Sequence, residues 1–227
     1  MHRVDIPRWV TDRVIKRRGA EHVLTDLDPA KTALIVIDMQ NAFMLPRVAF
    51  AVIETAPEIV PNINRLADAV RSAGSTVVWI KMTYSDDEPV DWSAFYRLVT
   101  PELGASRQAA LTKGSEGHQI WKDLDVHADE PVIEKTKFSA LVPGSSDLDA
   151  FLRGRGIDTL LITGCLTDVC CESTARDAMM LNYRAIMVTD ANAADTDADH
   201  NNALCAFYST FGDIMPTDMV VDLLGRT

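Results

Sequence analysis

Three reactive side chains follow apolar runs in this sequence. Asp38 ends ALIVID, Lys135 follows PVIE, and Cys170 lies just beyond TLLIT. In ITGCLTDVCCESTARDA a strand leads through a glycine-containing turn into a helix opening near Cys171. A cysteine at a helix N-terminus sees the positive end of the macrodipole and free backbone N–H groups, which favour a thiolate. The same N–H groups can hold an oxyanion. A carboxylate in a partly desolvated cleft can accept a thiol proton and later donate it to a leaving amine. An ammonium beside both favours their charged forms. Together these groups can perform nucleophilic acyl transfer.

Each residue also has an ordinary reading. Buried cysteines are mostly inert packing groups, a strand-end aspartate caps the following turn, and lysines are usually solvated. Cys171 rivals Cys170, since one helical step turns a side chain by about 100° and only one of the pair faces the mouth. Lys137 rivals Lys135, because side chains of period two put both on one face of a strand. A zinc site from Cys165, Cys170 and Cys171 lacks the two-residue spacing and distant partner pair of structural zinc motifs. A redox disulfide between Cys170 and Cys171 would close a strained ring.

Positioning these groups falls to alternating strands and helices. Apolar runs at 33–38, 76–81, 131–134, 159–163 and 185–189, with a weaker one at 213–215, are continuous rather than alternating. Such runs suit parallel strands buried on both faces. Helical patterns occupy 57–73, 145–153, 172–181 and 199–208. The fold class is therefore α/β: a single-domain open parallel sheet of about six strands with helices on both faces. Ligands in such sheets bind beyond the carboxyl ends of the strands, near the topological switch point. Asp38, Lys135 and Cys170 all fall at such ends.

Two stretches depart from this rhythm. Residues 1–24 carry Arg3, Arg8, Arg13, Lys16, Arg17 and Arg18, and are expected to form a helical arm clasping a neighbouring subunit or its own domain, residues 25–227. Residues 85–117 are rich in acids and aromatics and are expected to form a lid or a partner-facing excursion.

The 227 residues carry a net charge of −11, which repels phosphate backbones and argues against nucleic-acid partners. The opening MHRVDIPRWV lacks the apolar core of a signal peptide. No run approaches the roughly 18 apolar residues of a membrane span. A cytoplasmic protein without membrane partners is expected. The four cysteines, three of them crowded between 165 and 171, form no disulfide framework.

VIDMQN, KTKFSAL and TGCLTDVCCESTARDA, in this order and spacing, resemble the three signature segments of the isochorismatase-like cysteine hydrolases. By eye the resemblance covers residues 30–215. It implies an Asp–Lys–Cys triad and selects Lys135, four residues before Ser139 of the K-x-x-x-S-A pattern, and Cys170, six after Gly164. It further implies a non-proline cis peptide at Cys165–Leu166, an oxyanion hole from the N–H groups of Leu166 and Cys170, and a homodimer or homotetramer. Relatives that cleave the vinyl ether of isochorismate lack this cysteine, so Cys170 points to amide-type chemistry through a thioester.

The segments WIKMTYSDDEPVDW, GSEGHQIW and RDAMMLNY resemble the subgroup acting on ureido, carbamoyl or related small amides, including ureidoacrylate and N-carbamoylsarcosine hydrolases. Phe43, Tyr84, Trp92, Gln119, Phe138 and Leu166 are the expected substrate-binding residues, with core packing as the alternative for each aromatic. Arg97 and Arg107 are the candidates for holding a substrate carboxylate. Met82 replaces a polar residue that some ureido hydrolases use, and Cys165, Leu166 and Leu141 also depart from the usual residues. No D-x-H pair follows the first strand and the five histidines show no ligand spacing, so neither metal nor cofactor is expected. A non-catalytic binding or scaffold protein on this fold, or a nicotinamidase-type amidase without the usual metal site, are the alternative functions.

Overall fold

A computed structural model describes residues 1–85 and 92–226. Along the chain run α1 (Arg8–Arg18), β1 (Thr32–Ile37), α2 (Asn41–Met44), α3 (Ala56–Ser72), β2 (Thr76–Met82), α4 (Ser93–Tyr96) and α5 (Pro101–Leu111). There follow β3 (Val132–Lys135), α6 (Leu148–Gly154), β4 (Thr159–Cys165), a π-helical turn at Thr167–Cys171, α7 (Glu172–Met180), β5 (Arg184–Ala193), α8 (Asp197–Thr210), β6 (Asp213–Met215) and α9 (Thr217–Leu224).

All six strands form one parallel sheet in the order β3-β2-β1-β4-β5-β6. The continuous apolar runs have the expected cause: every residue of β1 and β4 is buried. Helix α3 packs on the sheet with α9, while α7 packs with α8. Helix α3 buries Ile59, Ile63, Leu66, Ala67 and Val70, the spacing of one helical face.

The order fixes the switch point. From β1 the chain proceeds outward to β2 and β3, then returns to place β4 on the other side of β1. A crevice opens between such strands at their carboxyl ends. Ile37, the last residue of β1, pairs with Gly164 of β4. A side chain at Gly164 would put its Cβ 2.0 Å from the Ile37 carbonyl oxygen, and φ there is +116°. Glycine thus lets the two central strands approach where the site begins.

Several boundaries differ from the sequence reading. Strand β5 is much longer than 185–189, continuing to Ala193. Helix α6 starts at Leu148 rather than at 145, because Ser145 and Ser146 are used by the preceding loop. The Ser145 hydroxyl accepts from the Lys137 N–H, and that of Ser146 donates to the Ala140 carbonyl.

The N-terminal arm lies on its own domain: α1 packs against α8, and Arg17 donates to the Ser209 carbonyl at 3.0 Å. His2 stacks on His200 with ring centroids 4.5 Å apart. Of the 85–117 excursion, residues 86–91 lie outside the described residues, and the remainder contains α4 and α5 joined and followed by turns. No helix among the described residues is long and apolar enough to cross a membrane.

Candidate active site

Asp38 is the first residue beyond β1 and has φ of +54°, a left-handed conformation that aspartate tolerates better than most residues. Its N–H donates to the Ile80 carbonyl at 3.0 Å, and its carbonyl accepts from the Gln40 N–H at 2.7 Å and from the Cys165 thiol at 3.2 Å. The turn is therefore tied to β2 and β4 at once. Gln40 is fully buried and clamps the end of β2, accepting from the Met82 N–H at 2.8 Å and donating to the Met82 carbonyl at 3.1 Å.

Lys135 ends β3, the edge strand, and pairs with Met82 of β2. Its Nζ passes 4.0 Å from the Met82 sulfur, donates to the Lys137 carbonyl at 3.1 Å, and meets Asp38 Oδ2 at 2.7 Å. Strands β3 and β1 are separated by β2, roughly 10 Å centre to centre. Only a long side chain spans that gap and still carries a charge. Both partners of the ion pair are fully buried.

Cys170 lies in the π-helical turn between β4 and α7, and its sulfur is 3.5 Å from Lys135 Nζ. The Cys165–Leu166 peptide at the start of this turn is cis, as the resemblance implied. Cys170 directly precedes the N-cap of α7, where the sequence placed it. The expected thiolate is not favoured, however: Cys170 is 4% exposed, and burial pushes its thiol pKa strongly up. Lys135 opposes that shift and Asp38 reinforces it. Burial acts against the Lys135 charge too, but Asp38 and Cys170 outweigh it and raise its pKa. Burial thus disfavours the Cys170 thiolate, while the contacts of Lys135 with Asp38 and Cys170 favour its ammonium form.

The two rivals are placed elsewhere. Cys171 points its sulfur toward the Thr163 carbonyl at 3.8 Å, and Lys137 carries its Nζ 5.0 Å over the Trp92 ring. All four cysteines are free thiols.

Aromatic side chains surround the approach. Trp92 meets Phe138 edge-on at 4.8 Å and stacks on Phe95 at 4.6 Å. Phe43, on α2 just after Asp38, meets Phe50 at 5.2 Å. Tyr84 and Trp92 line a small cavity with Arg107, and Leu166 is half-buried at the nucleophile turn. Gln119 is apart from these: its side chain is exposed, and its backbone carbonyl accepts from the Asn41 N–H at 2.9 Å. Arg97 is exposed, whereas Arg107 is buried.

Two positioning groups escape a reading by motif. Thr174 is fully buried, donates to the Cys170 carbonyl at 2.7 Å and accepts from the Ala140 N–H at 3.1 Å. It thereby joins the nucleophile turn to the loop after Lys135. Gln40 joins the turn after Asp38 to β2. Each is a small polar residue next to a reactive one, and only its burial distinguishes it from a surface amide or hydroxyl.

Similarity to known proteins extends over most of the chain. The isochorismatase domain model matches residues 32–219. The chain is 33% identical to the ureidoacrylate amidohydrolase RutB of Pseudomonas savastanoi pv. phaseolicola, over 95% of this chain and 91% of that protein. Among solved structures, a cysteine hydrolase from Pseudomonas syringae pv. phaseolicola superposes with a TM-score of 0.80 at 27% identity, covering 88% of this chain and 95% of that one. The N-carbamoylsarcosine amidase of Thermoplasma acidophilum superposes with a TM-score of 0.65 at 28% identity, covering 83% of this chain and 97% of that one. With the signature segments meeting at one switch point and the domain match running from β1 into α9, the chain belongs to the isochorismatase family.

Proposed function

We propose that this protein is a cysteine-dependent amidohydrolase that cleaves a C–N bond of a small amide, ureido or carbamoyl compound. The observation that carries the reading is the buried contact of Asp38, Lys135 and Cys170 at the carboxyl ends of three strand units. The names of the relatives, a ureidoacrylate amidohydrolase and an N-carbamoylsarcosine amidase, support the bond type.

The chemistry follows from the resting charges. The Asp38 carboxylate takes the Cys170 proton, and the thiolate attacks the substrate carbonyl carbon. The N–H groups of Leu166 and Cys170 donate hydrogen bonds to the oxyanion. Asp38, now a carboxylic acid, protonates the departing nitrogen, which leaves as ammonia or an amine, and a thioester remains on Cys170. Water then adds to the thioester, giving its proton to Asp38, and collapse expels the Cys170 sulfur, which recovers that proton. Lys135 stays cationic throughout and offsets whichever neighbour carries the negative charge. Phe43, Tyr84, Trp92, Phe138 and Leu166 form the walls for the substrate, and exposed Gln119 would join them only if the substrate extends to the rim. The protein acts as a homodimer or homotetramer in the cytoplasm.

The test is ammonia release from a panel of ureido acids, N-carbamoyl amino acids, biuret, nicotinamide and simple amides. Turnover of a ureido or carbamoyl member by wild-type enzyme, and none by Cys170→Ala, is the expected result. Substantial turnover by Cys170→Ala would sink the scheme.

A further inference from the structure

Arg107 carries a buried charge without a counter-charge among the described residues. Its side chain, on α5, is 6% exposed. The guanidinium lies 5.3 Å from the Trp92 ring, 5.0 Å from Phe95 and 6.0 Å from Phe50, and donates to the Tyr96 hydroxyl at 3.2 Å. Among the described residues it forms no ion pair with a carboxylate, although the chain has 33 acidic residues and a net charge of −11. A guanidinium offers five N–H donors. Taking it out of water is costly unless the charge is paired, and aromatic faces compensate only in part.

The charge borders an open space. Arg107, with Thr83, Tyr84, Ser85, Trp92, Tyr96 and Thr136, lines a cavity of about 30 Å³. That is room for roughly two water-sized groups, the size of a carboxylate rather than of a whole substrate. None of Asp38, Lys135 and Cys170 lines the cavity itself; two of its residues neighbour the triad in sequence, Thr136 after Lys135 and Thr83 after Met82, whose sulfur lies 4.0 Å from Lys135 Nζ. The aromatic ring of Arg107 contacts likewise runs to both segments, through Trp92 to Phe138 after Lys135, and through Phe50 to Phe43 after Asp38. Whatever fills the cavity would lie against Tyr84 and Trp92, two of the proposed walls for the substrate.

We propose that Arg107 receives a carboxylate of the substrate, so that the site selects ureido or carbamoyl acids over neutral amides. This rests on the hydrolase reading above. A protein of net negative charge repels an anion at long range, so a local cation is required to hold one. A site built around a buried charge also rejects a neutral isostere, which leaves that charge unpaired. Arg97, exposed on the surface after α4, does not meet these conditions.

The probes are 3-ureidopropionate and its neutral carboxamide, assayed for ammonia release with wild-type, Arg107→Met and Arg107→Lys enzymes. Binding of each is measured separately by calorimetry on Cys170→Ala, with and without Arg107→Met. Wild-type enzyme is expected to favour the acid in kcat/KM by about 10- to 100-fold. Arg107→Met should raise KM for the acid by a similar factor, with KM for the carboxamide changed less than about threefold, and Arg107→Lys should recover part of the loss. A wild-type preference for the carboxamide, no calorimetric binding of the acid, or equal losses on both probes in Arg107→Met would overturn the proposal. Equal losses would leave Arg107 as an aromatic tether for α4. Arg107-dependent binding without ammonia release would instead refute the hydrolase reading alone.

Discussion

Lys135 Nζ lies 2.7 Å from Asp38 Oδ2, although the two residues leave strands that are not neighbours in the sheet. The lysine bridges β2 and delivers its charge to a carboxylate that water does not reach. A pair of this kind is not valuable for stability in itself, since desolvation offsets the attraction, but either partner alone is a buried unpaired charge.

Breaking the pair from one side should therefore cost more than removing it. Lys135→Met and Asp38→Asn are each expected to lower the unfolding free energy by about 3–5 kcal/mol. The double variant should lose clearly less than the sum of the two. Urea denaturation of the four proteins measures the coupling, and additive losses would contradict it.

Burial pushes the Cys170 thiol pKa up, which favours the protonated form near neutral pH. Its alkylation by iodoacetamide in the free enzyme should accordingly be slow at pH 7 and keep rising through pH 10, because only the thiolate reacts. Mass spectrometry of the Cys170 peptide across that range gives the profile. A rate already level from about pH 7 would mean a resting thiolate, and Asp38 would then have no thiol proton to take.

Thr174 holds the nucleophile turn against the loop that follows Lys135. Thr174→Val keeps the shape but removes both hydrogen bonds, leaving a buried carbonyl and N–H without that partner. Stability should fall by about 1–3 kcal/mol. Turnover should fall by roughly tenfold, with KM nearly unchanged, if the displacement reaches the Cys170 sulfur. Thr174→Ser should restore both. Full turnover in Thr174→Val would show that the turn keeps its place without the bridge.

Much of this was legible along the chain. Continuous apolar runs such as TALIVI and TLLITGC are the signature of strands covered on both faces, and such strands form. Reactive residues directly after those runs mark strand ends, and strand ends are where an open parallel sheet binds ligands. The extent of β5 and the start of α6 were not legible. Strand length depends on the neighbours available for pairing, and the 145–147 segment is claimed by loop hydrogen bonds that only the folded chain provides.

The sequence by itself determined the sheet class, through residue type and local periodicity, and the resemblance of its motifs gave the family and singled out Asp38, Lys135 and Cys170 as candidates over Lys137 and Cys171. Tertiary structure alone decided the surroundings. Whether a cysteine is thiol or thiolate depends on how much water and which charges reach it, and burial in the turn shifts Cys170 toward the thiol. Whether an arginine is a solvated surface charge or an unpaired buried one likewise depends on what packs around it. Arg97 and Arg107 read alike in sequence, and only the closing of Phe50, Trp92 and Phe95 around Arg107 separates them. Desolvation is a property of the assembled surroundings, which no local stretch of chain contains.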